Sequence, residues 1–149
     1  MTTQTQQQVY WEDMQVGQEI PKLEKGPITT QMMMRWGAAV GDYYQIHYDP
    51  NFAKEVAHLP GIIVHGTHKF GILGQLLSNF AGPEGWVRKL AASYRGMDFP
   101  NQVITARGVV TSKHEQDGQK LVELEIWTEN PEGRKTTLGS AVVVLPARG

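Results

Sequence analysis

One segment narrows the possible folds more than any other. Residues 66–80 carry the longest helical apolar period of the chain: Phe70, Leu73, Leu77 and Phe80 recur at spacings of three and four, with Leu76 beside them. Gly82-Pro83-Glu84-Gly85 ends the pattern. Strand signals fill the rest of the chain, over 86–95, 103–113, 121–128 and 136–145. In the second of these, Val103, Thr105, Arg107, Val109, Thr111 and Lys113 share one face, and in the third Val122, Leu124 and Ile126 do. Asp117-Gly118 is a hairpin turn, and Asn130-Pro-Glu-Gly133 is the next turn. One long helix followed by an antiparallel meander reads as α+β, with the sheet packed on the helix. Gly66, Gly71 and Gly74 each cost that helix roughly 1 kcal/mol relative to Ala. A helix that keeps them is one that something approaches closely.

The first half of the chain is more broken. A turn at Val16-Gly17-Gln18 precedes a short strand near 19–25, and Gly26-Pro27 interrupts it. Thr29 or Thr30 can N-cap a helix over 31–40 that Gly41 ends. Its Met32-Met33-Met34 run is expected to fill the core. Residues 42–50 have neither helix nor strand period, and Pro50 can open a second short helix over 51–57.

Composition removes several classes. A chain of 149 residues is about one domain, expected over 9–149 behind a disordered polar tail at 1–8. The absence of cysteine excludes a disulfide scaffold, a thiolate metal site and a cysteine nucleophile. Fourteen basic against fifteen acidic residues, a net charge of −1, give no footprint for nucleic acid. The N-terminus lacks a basic and apolar leader, and no run reaches the length of a membrane span. The expectation is a soluble cytoplasmic protein without nucleic-acid or membrane partners.

Polar chemistry concentrates in Gly41-Asp42-Tyr43-Tyr44-Gln45-Ile46-His47-Tyr48-Asp49-Pro50. Asp42 and His47, five residues apart on an irregular segment, can point to one side and share a water or divide acid and base roles. Equally, Asp42 could cap the next helix and His47 be a satisfied loop residue. Further on, an apolar run ends in His65-Gly66 at the start of the long helix. The first backbone N–H groups there are unpaired and lie at the positive end of the helix dipole. They could polarise a carbonyl, with Gly66 allowing close approach, or Gly66 could simply permit the turn. His65 and His68 lack a third ligand at any recognisable spacing, so no metal is expected. Arg88, Lys89, Arg95 and Arg107 could meet carrier phosphates but read more simply as a solvated strand face. Neither phosphate-binding glycine loops nor a Gly-x-Ser-x-Gly elbow occurs.

The two blocks Gly41-Asp42-Tyr-Tyr-Gln-Ile-His47-Tyr-Asp49-Pro50-Asn-Phe-Ala53 and Ile62-Ile-Val-His65-Gly66 resemble the MaoC-like (R)-specific enoyl thioester hydratases and dehydratases. The resemblance covers about residues 10–146. It implies the hot-dog fold, an antiparallel sheet wrapped around a long helix, with units pairing side by side. It implies Asp42 and His47 as the catalytic pair and His65-Gly66 as the thioester-binding element. The implied reaction is reversible hydration of a trans-2-enoyl thioester of CoA or acyl carrier protein to an (R)-3-hydroxyacyl thioester, with no cofactor. Where the family usually has Asn-Pro, this chain has Tyr44-Gln45, and Thr67 stands where Met is frequent. Both Tyr44 and Thr67 are therefore expected to touch substrate, and an unusual acyl group or a heteromer with a second hot-dog subunit follows as an implication. The alternatives are an accessory acyl-binding subunit without turnover, which the Tyr44-Gln45 departure favours, or a hot-dog thioesterase.

Overall fold

The computed structural model describes residues 7–149. Its elements are β1 (Leu23–Lys25), α1 (Thr30–Val40), α2 (Gly66–Ala81), β2 (Trp86–Tyr94), β3 (Ile104–Gln116), β4 (Gln119–Glu129) and β5 (Lys135–Val144). Short 3-10 turns lie at Trp11–Asp13 and Gln45–His47, and a π-helical turn at Phe52–Val56. The five strands form one antiparallel sheet in the order β1-β3-β4-β5-β2. All five strands touch α2, so the sheet curls around that helix in the hot-dog arrangement.

The β3–β4 hairpin turns on Asp117 and Gly118, at φ 52° and 74°. Two successive positive φ values make the tight loop whose twist matches the strands. In β3 the core face is Ile104, Ala106, Gly108 and Val110, the parity opposite to the Val103–Thr105–Arg107 series. Arg107 explains the choice, because its guanidinium lies outward between Glu129 at 3.1 Å and Glu19 at 3.6 Å. Opposite, Val122, Leu124 and Ile126 are buried as the pattern requires.

Core-facing positions of α2 are Ile72, Leu73, Leu76, Leu77 and Phe80. Each such side chain contributes roughly 1.5–3 kcal/mol on burial. Phe70 fits the same spacing yet is 37% exposed. The slot one turn before Leu73 belongs to Lys69 instead, which is 2% exposed and paired with the fully buried Asp98 at 2.8 Å.

α1 starts as expected, with the Thr29 hydroxyl accepting the Met32 N–H, and ends at Gly41 with φ 72°. Of the three methionines Met33 is fully buried, Met32 packs on the core and Met34 is exposed. Most of the expected 1–8 tail lies outside the described residues, but Gln8 is anchored: its amide donates to the carbonyls of Val9 and Ala81.

Candidate active site

Folding brings Asp42, His47 and His65 together, with a ligating atom of each within 4.8 Å of the others. The segment 42–49 is held by local bonds that the sequence itself encodes. The Asp42 carboxylate accepts the Tyr44 N–H, and the Asp49 carboxylate accepts those of Asn51 and Phe52. Asp49, not Asp42, therefore caps the turn that Pro50 opens.

The His47 ring is fixed in one tautomer. Its Nδ1 lies 2.7 Å from the Ile63 carbonyl, which can only accept, so Nδ1 carries the hydrogen. In the neutral ring the lone pair is then on Nε2, which lies 3.9 Å from the Asp42 carboxylate. That separation is too long for a direct hydrogen bond and fits two acceptors facing one water. His47 is nearly buried, while the Asp42 side chain is 37% exposed.

His65 lies behind this pair. Its ring stacks on His47 with centroids 3.8 Å apart and an angle of 19°. Its Nε2–H donates weakly to the Asp42 main-chain carbonyl at 3.4 Å, and its buried Nδ1 has no partner. Burial first, and the neighbouring His47 second, hold the His65 pKa below the usual histidine value. A metal ion does not suit the three residues. Imidazole lone pairs lie in the ring plane, and two stacked, nearly parallel rings cannot both aim theirs at one ion. His68 is also turned away, stacked on Trp36 at 4.8 Å.

Gly37 is a site residue that the sequence reading missed. A Cβ there would stand 2.8 Å from the Asp42 main-chain oxygen and 3.1 Å from His65 Nε2. Its signal was a glycine inside a helix, where it costs roughly 1 kcal/mol relative to Ala. A side chain at Gly37 would displace both the Asp42 backbone and the His65 ring.

A cleft of about 450 Å³ reaches this cluster. Of Asp42, His47 and His65 only His47 lines it, together with Gly66, Ile46, Ile63 and Lys69 and the rim segment Tyr94–Met97. Gly66 is the first residue of α2, where N–H groups lack intrahelical partners. A Cβ on Gly66 would lie 3.0 Å from the Tyr94 ring, so the glycine lets that ring pack close against the start of α2. Thr67 faces elsewhere: its hydroxyl oxygen accepts the Trp36 indole N–H at 3.0 Å and braces α1 on α2. Tyr44 is 55% exposed and packs edge-on against His47 and Phe52. Neither Thr67 nor Tyr44 lines the cleft.

Of the four candidate cations, Arg95 borders the cleft, with its Nε donating to the Ser93 hydroxyl at 3.1 Å. Arg107 is engaged by carboxylates, and Arg88 reaches Gln119. A larger cavity of about 1010 Å³ lies along the C-terminal half of α2, between Leu76, Phe80, Met14 and Leu23. Its charged residues are already paired, Asp13 with Arg148 and Lys22 with Glu24.

No described helix is long and apolar enough to cross a membrane. No curated protein sequence matches the chain significantly. Solved structures do. An (R)-hydratase from A. caviae involved in PHA biosynthesis is 25% identical and aligns over 91% of this chain and 99% of its own, with a TM-score of 0.79. A MaoC-like dehydratase from Rhodospirillum rubrum is 18% identical over 95% of this chain and 99% of its own, with a TM-score of 0.81. The ChsH1-ChsH2 complex from Mycobacterium tuberculosis is 18% identical over 87% of this chain and 97% of the matched one, with a TM-score of 0.73. The family model for the MaoC like domain matches residues 13–130. With most of its length matched and the hot-dog fold in place, the chain belongs to the MaoC-like dehydratase family.

Proposed function

We propose that this protein is a hydro-lyase that adds water reversibly across a trans-2-enoyl thioester to give an (R)-3-hydroxyacyl thioester. One arrangement carries the reading: His47, whose Nδ1 is held by the Ile63 carbonyl, lines a cleft together with Gly66 at the start of α2, and the Asp42 carboxylate lies 3.9 Å behind its Nε2. A water donating to His47 Nε2 and to Asp42 would be poised beside a substrate carbonyl hydrogen-bonded to the Gly66 N–H. Its oxygen bonds to C3 while the C2–C3 π pair shifts to C1–C2 and the carbonyl π pair moves onto the carbonyl oxygen, giving an enolate. The unpaired helix end stabilises that charge without reorganisation. The pair takes one proton from the water and returns one to C2, so the site ends as it began. His65 acts from behind, holding the Asp42 main chain and the plane of the His47 ring.

Support for hydration with R stereochemistry comes from the (R)-hydratase neighbour, and for assembly from the ChsH1-ChsH2 complex among the neighbours. A curled sheet ending in β2 leaves a nine-residue edge strand open to pairing. At least a dimer is expected in solution, in which a second copy or a second hot-dog subunit completes the cleft. Light scattering checks this; a fully active monomer at micromolar concentration would contradict it. The edge-on Tyr44, exposed beside His47, is the observation that keeps the accessory-subunit reading in view.

Crotonyl-CoA separates the readings in one assay. Loss of enoyl absorbance without free thiol supports hydration. Thiol release supports a thioesterase, and neither signal supports an accessory role. Tyr44 then reports on substrate choice. A neutral hydrogen bond lost with Tyr44→Phe would cost about 0.5–1.5 kcal/mol, a few-fold to about tenfold in rate. With its ring packed on Phe52 and its hydroxyl without a hydrogen-bond partner among the described residues, Tyr44→Phe is expected to be nearly silent. Tyr44 touches the cleft only through the His47 ring it packs against, and through that ring Tyr44→Asn is expected to change the ranking of a short linear against a branched enoyl-CoA. Turnover of both variants on both substrates checks this, and an unchanged ranking in Tyr44→Asn would remove the pocket-shaping role.

A further inference from the structure

Lys69 occupies the fourth position of α2, near the helix end where a positive charge is disfavoured, and it is almost wholly removed from water. Its ammonium donates to the Asp98 carboxylate at 2.8 Å and to the Gly96 carbonyl at 2.8 Å, and approaches the Thr136 carbonyl at 3.5 Å. Asp98 is fully buried, and its main-chain carbonyl accepts the Val64 N–H at 2.8 Å. The Thr136 carbonyl also takes the N–H groups of Arg95 and Gly96, at 2.9 and 3.0 Å. One ammonium thus joins α2, the rim segment 94–98 and the start of β5, beside the point where Gly66 meets the cleft. Core filling alone does not call for this. A buried ion pair is often replaced by apolar residues of similar volume without loss of stability.

We infer that Lys69 is a positioning residue. Clamped to Asp98 and Gly96, it fixes the rim Tyr94–Met97 at one distance from the start of α2. That distance sets the width of the cleft in which a thioester carbonyl meets the Gly66 N–H. The consequence for turnover rests on the hydratase reading; the clamp itself does not.

Amide exchange on the unmodified protein is the first test. The N–H groups of Val64, Arg95 and Gly96 should exchange as slowly as those of Leu124 and Ile126 in β4. Exchange of the three at surface-loop rates overturns the clamp, and no variant is needed. The second test compares Lys69→Met with the double variant Lys69→Met/Asp98→Leu. The single change strands a buried carboxylate and should lower Tm; the double change should bring Tm back toward the native value. In that double variant the three rim amides should exchange at least about tenfold faster while Leu124 and Ile126 keep native rates. Its kcat should fall at least about tenfold with KM changed by less than about threefold, the mark of geometry lost in the transition state. Native rim exchange, or a kcat within about twofold of native, in a double variant of restored Tm overturns the positioning role. If the unmodified protein hydrates no enoyl-CoA, the hydratase reading fails, and the exchange rates still decide the clamp.

Discussion

Replacing Asp42 by Asn, or His47 by Ala, is expected to lower turnover of an accepted enoyl thioester by at least about a hundredfold, the scale of a lost general acid or base. The two residues face one another across a gap of 3.9 Å, so in this account they handle a single water. Groups that act as a unit are not additive, and the double variant should be little worse than the poorer single one. Asn at 42 keeps an oxygen for the Tyr44 N–H, so the loop should hold its shape while the charge is lost. Ala at 47 removes the ring that stacks on His65 and the bond to Ile63, which should cost some stability without unfolding the chain. Circular dichroism and thermal melts beside the kinetics separate the two effects. Near-native turnover in either folded single variant would contradict the mechanism.

Acidification is expected to weaken the fold through His68. Burial, followed by the nearby His65 and Lys25 charges, pushes its pKa down to about 4 from an ordinary value of 6.5. The unfolded chain therefore binds a proton between those two values that the folded chain refuses. Stability associated with neutral His68 is complete above the unfolded value and is lost as pH falls through the window from 6.5 to about 4. At 1.36 kcal/mol for each pKa unit, the loss is on the order of 3 kcal/mol at the acid end. The depressed pKa of His65 adds in the same direction. His68→Phe keeps an aromatic ring against Trp36 and removes the titrating group. Urea unfolding at neutral pH and near about pH 4.5 should show a clearly smaller loss in that variant than in the native protein. Equal losses in both would show that His68 does not carry the acid dependence.

The local patterns were legible in the sequence, and the long-range pairings were not. The α2 helix runs over Gly66–Ala81, one residue beyond the period read from its leucines, because that period and the glycine stop are local. The Asp117-Gly118 turn likewise depends only on two residues that tolerate positive φ. Phe70 belongs to the apolar period, yet spacing alone cannot show that Lys69 takes the buried slot one turn before Leu73. What decides between them is Asp98, 29 positions away, which offers Lys69 a buried counter-ion. Which face of β3 is buried is also decided at long range. Val109 is apolar and Gly108 is not bulky, yet Gly108 is the one packed on Ile20 and Ile126.

At the site, the meeting of Asp42 with His47 follows from five residues of irregular chain. That His65 stacks behind them could not be read from local spacing, since a helix and a turn separate the two blocks. Thr67 illustrates the opposite error. Its neighbour Gly66 faces the cleft, but on a helix the next side chain points about a quarter turn away, here onto Trp36. Gly37 carried a readable signal, an unfavourable residue inside α1, whose cause lay in contacts to Asp42 and His65.

The central claim is that water is added across the double bond of an intact thioester. Mass spectrometry of crotonyl-CoA after incubation with the protein tests it most directly. The expected product is heavier by one water with the thioester preserved, formed by the native protein and not by Asp42→Asn, and chiral chromatography of the released 3-hydroxy acid should show the R configuration. An unchanged substrate across linear and branched enoyl-CoAs, or free acid with released CoA, would contradict it.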